Sequence, residues 1–102
     1  MQMILTGDMI DASEAHRVGL VDEVYPPEEL MDKAMAMANL IATKAPIAVS
    51  LAKECINRGL DGPLAAGCDL EKANFGQVCG TGDKNEGTEA FLEKRKPNFT
   101  GH

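Results

Sequence analysis

Phe91 and Lys94 are the two residues best suited to meet a ligand. They stand three apart, a spacing that puts two side chains on one face of a helix, within Glu86 to Phe99, EGTEAFLEKRKPNF. An aromatic ring can lie against a flat apolar ligand part while an ammonium reaches a phosphate. Lys94, Arg95 and Lys96 form a basic run that stops at Pro97. Such a run suits a phosphate, and it equally suits a solvated helix end, where cations complement the dipole. The residues alone leave both readings open. In the second, Phe91 belongs to the core and Lys94 to solvent.

Other chemistry is less well supplied. Acid–base work on a substrate needs a carboxylate isolated from water so that its pKa rises. Glu54, Asp69, Glu71, Glu86, Glu89 and Glu93 are available, but no apolar context singles out any of them, and they read as solvated helix faces. Gly80-Thr81-Gly82-Asp83 has two of the glycines of a phosphate loop, follows a helix and lacks a preceding strand, so it reads as a helix-to-helix turn. His16 and His102 have no Cys or His near them, and no D-x-D-x-D loop occurs, so no metal site is expected. Cys55, Cys68 and Cys79 are odd in number and form no CxxC pair. They read as core thiols suited to a reducing cytosol.

Composition narrows the class further. The formal charge of −6 disfavours nucleic acid, which needs a cationic footprint. No apolar run approaches a membrane span, and no charged-then-apolar opening marks a secretory signal. The 102 residues are 44% apolar but hold only four aromatics and no Trp. Ala- and Met-rich helices bury little area each, so some apolar faces are expected to meet another part of a larger protein.

The positioning elements are helical. Met1 to Leu5 finishes a helix that leaves through Thr6-Gly7-Asp8. Asp11 and Glu14 form a capping box for a short helix that Gly19 ends. Leu20 to Tyr25 alternates imperfectly and is expected to be a short extended piece, an edge strand or strap. From Pro27 or Glu28 to about Lys44, the stripe Leu30, Ala34, Met37, Ala38, Ile41 and Ala45 predicts an amphipathic helix with one buried face. Pro46 opens the next helix, which ends at Gly59. A further helix starts near Pro63 behind Asp61 or Gly62, with Gly67 allowing close contact. Asp83 and Glu86 read as a second capping box for a last helix, closed by Pro97.

EGTEAFLEKRKPNF at 86–99, Leu5-Thr6-Gly7, and AHRVGLVDEV at 15–24 together make the chain resemble the C-terminal third of an enoyl-CoA hydratase of the crotonase superfamily. The resemblance runs along nearly all of it. It implies a mostly α fold, the helical C-terminal part of a crotonase-like (ClpP/crotonase) α/β fold with one short extended segment, over residues 1–102. The implied parent is a short-chain hydratase, or 3-hydroxyacyl-CoA dehydratase in reverse, moving water across the 2,3 double bond of an acyl-CoA. Its substrate is a coenzyme A thioester, no prosthetic group is implied, and a cytoplasmic homotrimer or dimer of trimers is expected. In that family the oxyanion loops and both catalytic glutamates lie upstream of the segment beginning at Met1. No catalytic residue is therefore expected here, and the 102-residue chain alone is expected to be inactive. The resemblance carries Phe91 and Lys94 onto positions that hold the adenine and 3′-phosphate of coenzyme A, often across a subunit boundary. Isomerases and thioester hydrolases share the scaffold. A non-catalytic helical self-association module is the alternative from another class.

Overall fold

The computed structural model describes residues 1–102 apart from the Gln2 side chain. It divides into two compact units, Met1–Met37 and Ala38–His102. The described residues hold six helices and no β-strand.

In the first unit, α1 (Gln2–Thr6) exits through Gly7 in the left-handed conformation, φ 71°. Asp11 caps α2 (Ala12–Arg17), its carboxylate accepting from the Glu14 amide at 2.7 Å. The expected box is half made: the Glu14 side chain turns instead to Arg17, with both contacts at 2.6 Å. Gly19, φ 74°, then closes a Schellman motif in which the Leu20 amide reaches back to the Ala15 carbonyl at 2.8 Å. Leu20 to Tyr25 is not a strand. It runs as bends and coil into Pro26, because a strand needs a ladder and no other extended segment stands beside it here. Lys33 lies 5.8 Å from the centroid of the Tyr25 ring, within cation–π range.

Helix α3 (Pro27–Ala42) begins where Pro27 predicts, with Glu28 and Glu29 in its first turn. Its predicted burial does not occur. No α3 residue is buried, and Leu30, Met37 and Ile41 stand about half exposed. The helix stops at Ala42, so Lys44 lies beyond its last turn. The periodicity is real; the surface it would pack on is not among these residues.

In the second unit, α4 (Pro46–Gly59) and α5 (Leu64–Cys79) pack together. Pro46 opens α4 as expected, whereas α5 is preceded by Pro63 itself rather than capped by Asp61 or Gly62. The two helices approach closely at a pair of glycines. A Cβ on Gly67 would stand 3.2 Å from the Gly59 Cα, so any larger residue there would push the two helices slightly apart. Asn74, 5% exposed, locks the pair: its amide nitrogen faces the Leu51 carbonyl (3.4 Å), Glu54 (3.2 Å) and the Cys55 thiol (3.3 Å). The cysteines are not core residues. Cys68 and Cys79 are exposed and Cys55 half-buried, since among the described residues α4 is the one helix packed extensively against α5. Helix α6 (Gly82–Glu93) follows a tight turn, and residues 96–102 carry no regular structure.

Candidate functional site

Helix α6 and the tail behind it build the candidate site. Its start differs from the sequence reading. Thr81 is the N-cap, its hydroxyl accepting from the Lys84 amide at 3.1 Å. Asp83 and Glu86 therefore stand inside the helix, their carboxylates free to reach elsewhere. Both turn to the tail. Asp83, only 2% exposed, accepts from the Thr100 amide (2.7 Å) and the Gly101 amide (2.9 Å). Its own amide donates to the His102 carbonyl at 3.2 Å. Glu86 accepts a two-pronged contact from Arg95 (2.6 and 2.9 Å) and the Asn98 amide (2.7 Å). Arg95 also reaches Glu93 at 2.6 Å.

These bonds favour the charged carboxylates. Arg95, helped by the Asn98 amide, holds the Glu86 carboxyl down at about 2. The Thr100 amide leads the groups that hold Asp83 below the usual carboxylate range, against the opposing effect of burial. Neither carboxylate has the raised pKa of a general acid. Glu86 is correspondingly not the solvated helix-face residue that its position suggested.

Phe91 and Lys94 do not share a helix face. Helix α6 ends at Glu93, and Lys94 is its C-cap in the left-handed conformation, φ 57°, ψ 36°. The Arg95 amide reaches back to the Ala90 carbonyl at 3.0 Å, completing a second Schellman motif. Glycine fills that position after α2; lysine fills it here. Among the described residues Lys94 is the one non-glycine with positive φ, and it is exposed with no ion pair. Arg95, by contrast, is committed to Glu86 and Glu93. The basic run is thus one spent cation between two exposed lysines.

Phe91 is 82% exposed and lines a hollow of about 380 Å³, together with Thr81, Lys84, Gly87, Thr88 and Phe99. Lys94 is not among the lining residues. Lys84 and Phe99 were missed by sequence reasoning. The signal for Lys84 was available, since Lys84, Thr88 and Phe91 recur at the four- and three-residue steps of one helix face. Phe99 carries no such signal, because a coil residue has no face. A second hollow between α4 and α5, lined by Leu51, Cys55, Ile56 and Phe75, has no cation to meet an anion. No group of three or more His, Cys, Asp or Glu able to hold a metal occurs among the described residues, and no single helix is long and apolar enough to cross a membrane.

Comparison with known proteins places this architecture. The family model described as enoyl-CoA hydratase/isomerase matches residues 1–102. A mitochondrial enoyl-CoA hydratase of Pongo abelii is 43% identical over 99 residues, which are 97% of this chain and 34% of that protein. A short-chain-enoyl-CoA hydratase of Clostridium acetobutylicum is 43% identical over 95 residues, 93% of this chain and 36% of that one. The crystal structure of an enoyl-CoA hydratase from Bacillus anthracis superposes with a TM-score of 0.94 at 44% identity, over 99% of this chain and 39% of that one. The chain thus spans little more than a third of the length of these relatives. Its helices are those of the C-terminal part of the crotonase-like fold. Matched along its whole length by the family's model, and at more than 40% identity by several of its members, the chain belongs to the enoyl-CoA hydratase/isomerase family.

Proposed function

We propose that the protein containing this segment is a short-chain enoyl-CoA hydratase, and that the segment supplies coenzyme A contacts and oligomer contacts. The reaction is the addition of water across the 2,3 double bond of an acyl-CoA. Two backbone N–H groups would hold the enolate-like thioester oxygen, and two glutamates would position and activate water. All of these lie outside residues 1–102. The support is the whole-chain family match, together with relatives named short-chain-enoyl-CoA hydratase and crotonyl-CoA hydratase. Homotrimers or dimers of trimers in the cytoplasm complete the reading, with the open apolar stripe of α3 supporting oligomer contacts.

The observation that carries the coenzyme A assignment is Lys94. The Lys94 backbone closes α6 in a conformation strained for lysine, while its side chain is exposed and makes no ion pair among the described residues. Strain retained at one residue points to use. Phe91 presents a ring at the hollow's edge for an adenine, and Lys94 an ammonium for the 3′-phosphate.

Lys94→Gly separates the two roles. Removing the Cβ relieves about 1–2 kcal/mol of left-handed strain, against about 0.5–1 kcal/mol of extra chain entropy for glycine. The variant of the full-length enzyme should therefore be more stable by about 0.5–1 kcal/mol in urea. Its KM for crotonyl-CoA should rise roughly 3- to 30-fold with kcat little changed, because a phosphate contact is the same in ground and transition states. The thioester lacking the 3′-phosphate should show almost no such rise. Equal losses on both substrates would end the Lys94 assignment, and an enzyme that does not hydrate crotonyl-CoA would end the hydratase reading. The 102-residue chain alone should show no turnover in the same assay.

A further inference from the structure

Residues 96–102 have neither helix nor strand, and an irregular surface segment is ordinarily loose. This one is tied down at four backbone points. The Asn98 amide goes to Glu86, the Thr100 and Gly101 amides go to Asp83, and the His102 carbonyl accepts from the Asp83 amide. Phe99 stands between the pinned Asn98 and Thr100, so its direction is set from both sides. Its ring tucks against Gly87: a Cβ there would lie 3.3 Å from the Phe99 Cε1. Held in this way, Phe99 becomes half-buried wall of the hollow in which Phe91 is the open ring. The other half of Glu86's work falls on Arg95, the residue after Lys94. Anchoring residue 95 fixes the turn in which Lys94 is held left-handed.

We propose that Asp83 and Glu86 are positioning residues for the nucleotide end of the substrate: they strap the tail onto α6, so that Phe99 forms the wall facing a purine ring and Lys94 is presented at a fixed place. This rests on the coenzyme A reading above. The physical reason for carboxylates is their acceptor count. Each offers two oxygens with several lone pairs, so one side chain can hold two or more backbone or guanidinium donors at once. An amide at the same position keeps one acceptor oxygen and loses the charge that strengthens the bonds.

The test uses the full-length enzyme with two substrates, crotonyl-CoA and crotonyl-pantetheine, which lacks the nucleotide. Asp83→Asn, Glu86→Gln and Phe99→Leu should each raise KM for crotonyl-CoA by roughly 3- to 10-fold, with kcat changed less than about twofold, and leave KM for crotonyl-pantetheine in place. Hydrogen exchange at the Asn98, Thr100 and Gly101 amides should speed up in the two carboxylate variants. Equal KM changes on both substrates would show a folding or assembly role and overturn the proposal. Faster amide exchange without any change in KM for crotonyl-CoA would overturn it too. Phe99→Leu keeps both carboxylates, so it decides the question even where Asp83→Asn fails to fold. Phe91→Ala and Lys94→Ala, run beside these variants, separate the two claims. If they are selective for crotonyl-CoA and the strap variants are not, only the strap falls; if none is selective, the coenzyme A reading falls with it.

Discussion

Between Met1 and Met37, the side-chain hydrogen bonds join residues two or three apart: Thr6 to Asp8, Asp11 to Glu14, Glu14 to Arg17. Between Ala38 and His102 they also join residues 23, 20, 18, 17 and 12 apart. Burial follows the same division. Among the described residues the first unit buries Ala15, while the second buries Asn74, Asp83 and Ala90. Local bonds end helices but do not bring distant segments together. Distant ones close loops, and their partners must be buried or enclosed to repay that entropy. The second unit therefore carries much of its own specification. The first has well-marked helix ends but no such long-range bonds, and it leaves Ile4, Leu5, Met9 and Leu30 open, as the second leaves Leu64, Phe75 and Phe91.

The sharpest way to break this comparison is amide exchange on the 102-residue chain. Backbone amides in the middle of α4 and α5 should exchange on the order of 10²- to 10³-fold more slowly than unfolded chain, and those of α1 and α2 within about 10-fold of it. Equal protection in both regions would show that the open surfaces of the first unit are covered, by self-association for example. Sedimentation over a concentration series would then identify the cover.

Asn74→Leu tests the second unit's long-range lock directly. The leucine keeps most of the volume and removes the donor that faces three acceptors. Glu54 keeps Arg58 and the Leu51 carbonyl keeps its place in the α4 ladder, so the loss is that of the Asn74 hydrogen bonds themselves, about 0.5–1.5 kcal/mol. The urea midpoint followed through α4 and α5 should fall accordingly, with exchange in α2 unaffected. A loss below about 0.5 kcal/mol would show that the glycine contact alone holds the pair.

Acid separates the two regions in another way. Glu86 is held at about 2, below its ordinary 4.5, and Asp83 is lowered as well. A depressed carboxylate contributes stability that is complete above the unfolded value and disappears as pH falls through the folded one. Tail attachment should thus be constant from pH 8 to 5 and be lost progressively from about 4.5 to about 2. Glu14 is also lowered, by Arg17, but that pair sits on the helix surface and ties down no distant segment. The amide resonances of Asn98, Thr100 and Gly101 should move over this range far more than those of α2. Resonances of the tail that stay fixed down to pH 2 would contradict the strap.

These differences also explain what was legible in the sequence. Helix existence, the breaks at Pro46 and Gly59, the left-handed Gly19 and the close approach at Gly67 were all readable, because each is decided by one residue's backbone chemistry. The capping box at Asp83 was misread because Thr81, an equally good cap, stands two residues earlier; the displaced carboxylates then found partners 9 to 18 residues away that no local rule reports. Lys94 was placed on the helix because nothing in its type forbids it, whereas a left-handed lysine is fixed by its anchored neighbour Arg95. The short extended piece at Leu20 to Tyr25, read as an edge strand or strap, and the buried face of α3 were inferred from patterns that record a partner surface, and such a pattern shows only what a segment is suited to, not what stands beside it.

The smallest expected effects come from glycines, and they sharpen the comparison because the two units use glycine for different reasons. In the first unit the reason is backbone conformation. Gly7 has nothing within 4 Å of a built Cβ but φ 71°, so Gly7→Ala should cost about 1 kcal/mol of local helix-end stability despite the open space. In the second unit the reason is room. Gly67 and Gly76 both lie in α5, where replacing glycine with alanine gains about 0.5–1 kcal/mol of helix propensity. Nothing lies within 4 Å of a Cβ on Gly76, so Gly76→Ala should keep that gain. A Cβ on Gly67 meets the Gly59 Cα at 3.2 Å, inside the roughly 3.5–4.0 Å that carbon atoms prefer. A backbone atom cannot rotate aside, so α4 must retreat by a few tenths of an ångström. The Asn74 contacts to Leu51 and Glu54, already 3.4 and 3.2 Å, would stretch with it. Overpacking of this kind costs about 1–3 kcal/mol, which outweighs the propensity gain and leaves Gly67→Ala destabilising by about 0.5–2 kcal/mol. Two identical substitutions nine residues apart in one helix should therefore have opposite signs in urea unfolding. If both stabilise, the helices can separate without loss, and the α4–α5 contact is not the lock of the second unit.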